Sequence, residues 1–393
     1  MQNQPPTDED HADDIFGTAI YEAPVRQKKD FLPWHRPRKQ FVRHYQWYQQ
    51  IDALLNDTQL EDNTFRYLGL PGVDLLDLRY FHRQICEPKK RRFIFLGFNS
   101  GVSPTSDAQT ELNISLDEVR RLTLIDPRSN IIPDDFRRVA DQASIAWRSA
   151  RDLGPYHVIN LDLCDGFGLH APSQLENTHY TAVNNLLTLQ ARSKDPWLLL
   201  LTTRAGKEHI HTEVLKRLLN KYAENLAGCL PFRDASAEIF AISSELILRE
   251  VVRHSDGLLK VFLVGLCKWL VGLAVSHNPP MKVEVRSVIG YRIETHAEQE
   301  DLVSLAIRFT PTLIPVKDSV GLASQSVQVQ MPDECDLAVK ALKRIAKRKN
   351  ADTILAGNPV LHDEMVAATA SLLELARYDV SAYREWLLLF SGN

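Results

Sequence analysis

Three short runs of almost unbroken apolar residues constrain this chain more than anything else in it: residues 92–98 (RFIFLGF), 156–163 (YHVINLDL) and 196–202 (PWLLLLT). A strand that is apolar along its length has both faces covered. Such strands belong to parallel sheets flanked by helices. The segments between them carry apolar residues at helical spacing. Residues 73–86 place Leu75, Leu78, Phe81 and Ile85 on one face, and residues 207–226 do the same with Ile210, Val214, Leu218 and Tyr222. Residues 65–70 (FRYLGL) read as a further strand stopped by Pro71-Gly72, and residues 130–132 as a short one. Further helices are expected from Ser115 as N-cap through Leu124, over 134–153, and over 173–192. The pattern reads as an α/β fold: an open, mostly parallel Rossmann-like sheet over residues 61–230 with helices on both faces.

Beyond residue 230 the period changes. Val283/Val285, Ile289/Tyr291/Ile293, Val303/Leu305/Ile307/Phe309 and Val327/Val329/Met331 alternate strictly, as antiparallel strands with one face on a core do. Two helices are expected between 235 and 275, and two more over 333–349 and 362–390. The run 257–275 (GLLKVFLVGLCKWLVGLAV) has the length of a membrane span, but Lys268 at its middle and Trp269 beside it point to a buried helix and no membrane. A chain of 393 residues exceeds what one core fills efficiently. The expected organisation is an acidic, disordered tail (1–25), a basic-aromatic arm and helix (26–60), the Rossmann-like domain (61–230), and a helical insertion with antiparallel strands and C-terminal helices (231–393). Five cysteines without a C-x-x-C pair support neither a zinc ribbon nor a dithiol motif. With a polar N-terminus unlike a secretory leader, they lead us to expect a reducing cytoplasm.

In open sheets of this kind, ligands sit at the carboxyl ends of the strands. Four stretches fall there. Gly69 and Gly72 flank the turn after the first strand, where glycine lets the backbone approach a cofactor; a tight strand–helix turn explains them equally well. Gly97 and Asn99 end the next strand, where a ribose would be gripped, and an Asn side chain both donates and accepts. Asp162 and Asp165 lie at the end of a buried strand, residues 156–163. A carboxylate there is costly unless paired or functional, so they are candidates for a general base, for orienting a substrate, for holding Mg²⁺, or for capping the following turn. Arg204 ends the next strand as an anion contact or a loop arginine. Apart from these, residues 26–43 hold seven Lys/Arg against one Asp, with Phe31, Trp34 and Phe41 interleaved. The net charge of −4 gives no global basic field, so nucleic-acid affinity would have to be local. Trp34, His35, Arg36, Arg38, Lys39 and Arg43 are the candidate contacts; an extension packed over the α/β domain, or an arm clasping a partner protein, is the alternative.

The order of these elements resembles class I S-adenosylmethionine-dependent methyltransferases. Leu68–Gly72 looks like that family's turn for the methionine end of the cofactor, Gly97–Asn99 like its ribose contact, and Asn160–Asp165 like its Asp/Asn motif beside the reacting groups. The resemblance implies S-adenosylmethionine bound by Gly69, Gly72, Gly97, Asn99 and Asp162. It also implies that Asp162 or Asp165 orients the acceptor or takes its proton, and that the strands over 282–309 close the sheet. A run like LPWHRPRKQFVR before such a domain also looks like uncharacterised bacterial proteins, some of them tied to mobile elements or phage defence. The Gly-Leu-Pro-Gly turn in place of a G-x-G and the long C-terminal additions point to an alternative: a sheet without its cofactor, serving as a nucleic-acid-binding or scaffold subunit of a larger complex.

Overall fold

The computed structural model of the chain describes residues 27–101, 106–163, 165–171, 173, 176–293, 300–313 and 330–389. The expected tail (1–25) and the Val327/Val329 strand lie outside these residues. Among the described residues the apolar runs and their neighbours form one sheet of eight strands in the order β3-β2-β1-β4-β5-β7-β6-β8. They are β1 (Thr64–Gly69), β2 (Arg92–Phe98), β3 (Asn130–Ile132), β4 (Val158–Asp162), β5 (Trp197–Arg204), β6 (Met281–Tyr291), β7 (Leu302–Pro311) and β8 (Lys349–Asn350). All neighbours pair in parallel except β7, which lies antiparallel between β5 and β6. The alternating segments predicted as two strands near 283 and 289 are one strand with a bulge between Val285 and Ser287.

Helices cover both faces, as strands buried on both sides require. One face carries α1 (residues 37–57), α2 (residues 76–89), α3 (Asp107–Arg120) and three helices near the C-terminus. Those three are α11 (Ala351–Ala356), α12 (Pro359–Glu374) and α13 (Val380–Leu389). The other face carries α4 (Ile145–Leu153), α5 (His179–Gln190), α6 (Thr212–Gly228), α7 (Leu230–Phe240), α8 (Glu245–Val251), α9 (Ser255–Ser276) and α10 (Glu334–Ala346). The 22-residue α9 is long and apolar enough to cross a membrane, yet 72% of its most apolar window is buried inside the protein, where Lys268 pairs with Glu334 of α10.

Local capping explains where helix boundaries depart from expectation. Ser106, not Ser115, caps α3 by accepting from the Gln109 amide at 3.2 Å, and Ser115 is buried within the helix. The helix expected over 134–153 splits because Asp135 caps a 3₁₀ turn (Phe136–Ala140) and Ser144 caps α4 through the Trp147 amide. Ala241 in the left-handed region (φ 58°) and the Ser244 cap divide the insertion into three helices rather than two. Cys229 and Cys335, 106 residues apart, form a disulfide joining the start of α7 to α10, with a Cα–Cα distance of 5.8 Å.

Candidate functional site

The chain leaves β1 toward β2 on one side, and β4 and β5 continue on the other. The carboxyl ends of β1 and β4 therefore flank a topological switch point, the place where such sheets receive ligands. Register brings three of the sequence-predicted segments together there: Gly69 pairs with Gly97 across β1–β2 and with Asn160 across β1–β4. Asp162 ends β4 beside Thr202 of β5.

The residues lining this crevice are bonded to the protein itself. Lys39 of α1 reaches Asp162 with its Nζ 2.6 and 2.7 Å from the two carboxylate oxygens. The same ammonium lies 3.4 Å from the Tyr291 hydroxyl and 4.5 Å from the centre of the Trp47 ring, and Lys39 is 5% exposed. Burial alone would depress its pKa; the Asp162 carboxylate, with Tyr291 and Asp77, outweighs that and raises it, so the lysine stays charged. One turn on, Arg43 Nε donates to Asp77 Oδ1 and its Nη1 to Gln40 Oε1, both at 2.7 Å. Tyr67 sits two residues before Gly69 on the same strand face, and its phenol lies over the glycine: a Cβ at Gly69 would be 2.6 Å from the hydroxyl oxygen. A Cβ at Gly97 would fall 2.3 Å from Ile131 Cδ1 and 2.9 Å from Pro71 Cγ. Asn99 braces the neighbouring loops, donating to the Pro71 carbonyl at 2.9 Å and accepting from the Gly101 amide at 3.0 Å. Of these three glycines, Gly72 alone has no atom of the described residues within 4 Å of a Cβ placed on it. Asn160 is 1% exposed, and its Oδ1 has no hydrogen-bond partner among the described residues.

In this arrangement the residues do not fit S-adenosylmethionine. The cradles at Gly69 and Gly97 hold the protein's own Tyr67, Ile131 and Pro71. The Asn99 amide is engaged at both ends, and a lysine ammonium occupies the carboxylate that would meet a cationic ligand. Asp165 is exposed in the loop after β4, which is pinned to β5 where Phe167 N donates to Thr203 Oγ1 at 2.7 Å. Arg204 turns to His209, its Nη1 3.2 Å from Nε2. Among the described residues no three His, Cys, Asp or Glu side chains gather as a metal site, so Asp162 and Asp165 gain no third ligand there.

The basic-aromatic segment is an internal strap. His35, Arg36, Lys39 and Arg43 are 0, 9, 5 and 3% exposed, so the row of phosphate-facing cations that spacing alone allowed is not what the chain forms. Arg38 is held by Asp352 at 3.0 Å and by the Arg292 carbonyl; Arg36 lies against the Trp386 ring. Trp34 alone of the six is exposed, at 41%. Sequence reasoning missed Tyr67, Trp47, Tyr291 and Asp77. Tyr67 was within its reach, because period two puts it on the same face as Gly69. The others join the site only through contacts far apart in sequence.

No curated protein gives a significant match to the chain. A family model described as PP_RS20740-like matches residues 28–388, from the strap to the last helix, and the chain belongs to the PP_RS20740-like family.

Proposed function

We propose that this protein is a methyltransferase-like Rossmann module that works by binding rather than by methyl transfer, as a non-catalytic subunit of a larger complex in the bacterial cytoplasm. The observation that carries this reading is the Lys39 ammonium seated on Asp162. A cation from the protein's own strap takes the partner that a cationic cofactor would need. The inward turn of Arg36, Lys39 and Arg43 favours a protein partner over nucleic acid, since salt-sensitive affinity rests on cations free to meet phosphates. Calorimetric titration with S-adenosylmethionine and with its demethylated product, at millimolar ligand, is expected to give no binding heat. Saturable micromolar binding of either one sinks the reading.

The second reading is methyl transfer once the strap lifts. The 3-2-1-4-5 strand order with its β1/β4 switch point and the open space at Gly72 favour it. Asp162 or Asp165 would then orient the acceptor or take its proton, and an exposed Trp34 would offer a stacking face to a nucleic-acid acceptor. Under this reading Lys39→Met, by freeing Asp162, creates or strengthens S-adenosylmethionine binding. Under the first it does not.

A further inference from the structure

Away from the strand ends, α1, α2 and α12 line a half-open cavity of about 350 Å³, at the small end of the range for small-molecule sites. Its floor is apolar: Met365 and Leu372 are 6% and 3% exposed, and Ala368 lies between them on α12. One wall is a hydrogen-bonded pair, with the Tyr80 hydroxyl 2.7 Å from His44 Nδ1. Burial lifts Tyr80 to about 12, so the phenol keeps its proton and donates it. Burial also lowers His44, which is therefore neutral near pH 7. In the tautomer whose Nδ1 accepts from the phenol, the His44 proton sits on Nε2 as a donor. Arg83, three residues on from Tyr80 in α2 and steadied by a 2.9 Å hydrogen bond from Nη1 to Ser371 Oγ, also lines the cavity, as does Glu364 of α12. Among the described residues neither Arg83 nor Glu364 makes an ion pair.

An apolar floor with one unpaired cation and one unpaired anion on its walls is complementary to a zwitterion. We propose that this cavity binds a free amino acid with an apolar side chain, its carboxylate on Arg83 and His44, its ammonium on Glu364 and its side chain over Met365 and Leu372. A guanidinium is suited to a carboxylate, since charge-assisted hydrogen bonds of this kind are the strong ones. The volume admits a molecule of this size. The site is separate from the strand-end crevice and stands whether or not that crevice binds S-adenosylmethionine.

The test is calorimetric titration of the full chain with L-leucine and L-methionine, beside 3-methylbutylamine, which lacks the carboxylate, and 4-methylpentanoate, which lacks the ammonium. At least one amino acid is expected to bind at millimolar affinity or tighter, with its truncated analogues roughly tenfold weaker or more. Arg83→Gln and Glu364→Gln lie at exposed positions and are expected to keep the fold by circular dichroism while each weakens binding about tenfold. Ala368→Phe, which fills the cavity from its floor, is expected to abolish it. No binding by either amino acid, equal binding of the analogues, or unchanged affinity in both charge variants of a folded protein would overturn the proposal.

Discussion

Lys39 and Asp162 depend on each other unequally, and that inequality can be measured. The lysine side chain is 6% exposed and the aspartate 21%. Removing the carboxylate leaves a buried ammonium against Tyr291 and the Trp47 face, with Asp77 as a more remote counter-charge. Asp162→Asn is therefore expected to cost about 3–5 kcal/mol, the usual penalty for breaking a buried pair and leaving its charge behind. Lys39→Met leaves a carboxylate that water can reach, and is expected to cost roughly 1–3 kcal/mol. Urea unfolding of both variants checks the order; equal losses would mean that the pair does not govern the strap's attachment. The same burial changes how the strap is probed. Replacing Arg36, Arg38 and Lys39 together by alanine dismantles packing and ion pairs, so it reports folding before it reports any ligand. Asp162 was legible in sequence because a carboxylate on an apolar strand demands an explanation. Its partner was not, because 123 residues separate them and a lysine in a basic run looks like any other.

At the level of elements, strands and core helices were legible from period and apolar content, whereas faces and ends were not. A strict helical period puts Tyr45 and Tyr48 on the buried face of α1. The π-helical segment Arg43–Tyr48 shifts that register, so that Gln46 and Trp47 face the sheet. Gln46 Nε2 donates to the Ser304 carbonyl at 2.9 Å and Trp47 Nε1 to Ser304 Oγ at 3.1 Å. Nothing in a single sequence announces a one-residue change of winding. The strap ahead of α1 docks through His35, which is wholly buried against Tyr378, with Nε2 3.9 Å from Asp74 Oδ2. Burial pulls His35 down to about 4. Asp74 opposes this, while Arg43 and Lys28 reinforce it. A histidine whose folded pKa lies below its free value of about 6.5 binds a proton more readily undocked. Docking is therefore unaffected above that value and weakens as pH falls toward 4, by an amount on the order of 3 kcal/mol over the whole window. Hydrogen exchange of the amides over 28–43 is expected to speed up between pH 6.5 and 4 beyond the intrinsic trend, and His35→Gln is expected to abolish the excess. An excess that persists in the variant would assign the effect to another group.

On the scale of the whole molecule, the first and last described segments converge on one face of the sheet, and a covalent link closes the other. The strap pairs with the turn after α12, where Lys28 N donates to the Arg377 carbonyl at 2.8 Å, and Phe31 packs among Tyr378, Tyr383 and Trp386. The residues expected to form separate N-terminal and C-terminal additions are thus part of the same core as β1 and β2. Sequence could not foresee this, because hydrophobic patterning specifies that a face is buried and not what buries it. On the opposite face the Cys229–Cys335 disulfide encloses the antiparallel hairpin β6–β7 and helices α7 to α9. Its spacing matches no motif, so the cysteines read as a reduced, scattered set. Closing so long a loop removes freedom mainly from the unfolded chain, and a link of this kind contributes about 2–4 kcal/mol in the loop-entropy account. Dithiothreitol is therefore expected to lower the unfolding free energy of the oxidised protein by that amount, with the near-native fold retained. The double variant Cys229→Ser/Cys335→Ser is expected to show the same loss and no further response to reductant. Non-reducing peptide mapping should recover the linked Cys229 and Cys335 peptides; their absence, together with a stability indifferent to dithiothreitol, would count against the bond. A protein working in a reducing cytoplasm would spend its time in the looser form. Peptide mapping of protein alkylated at the moment of lysis therefore tells which form the cell contains.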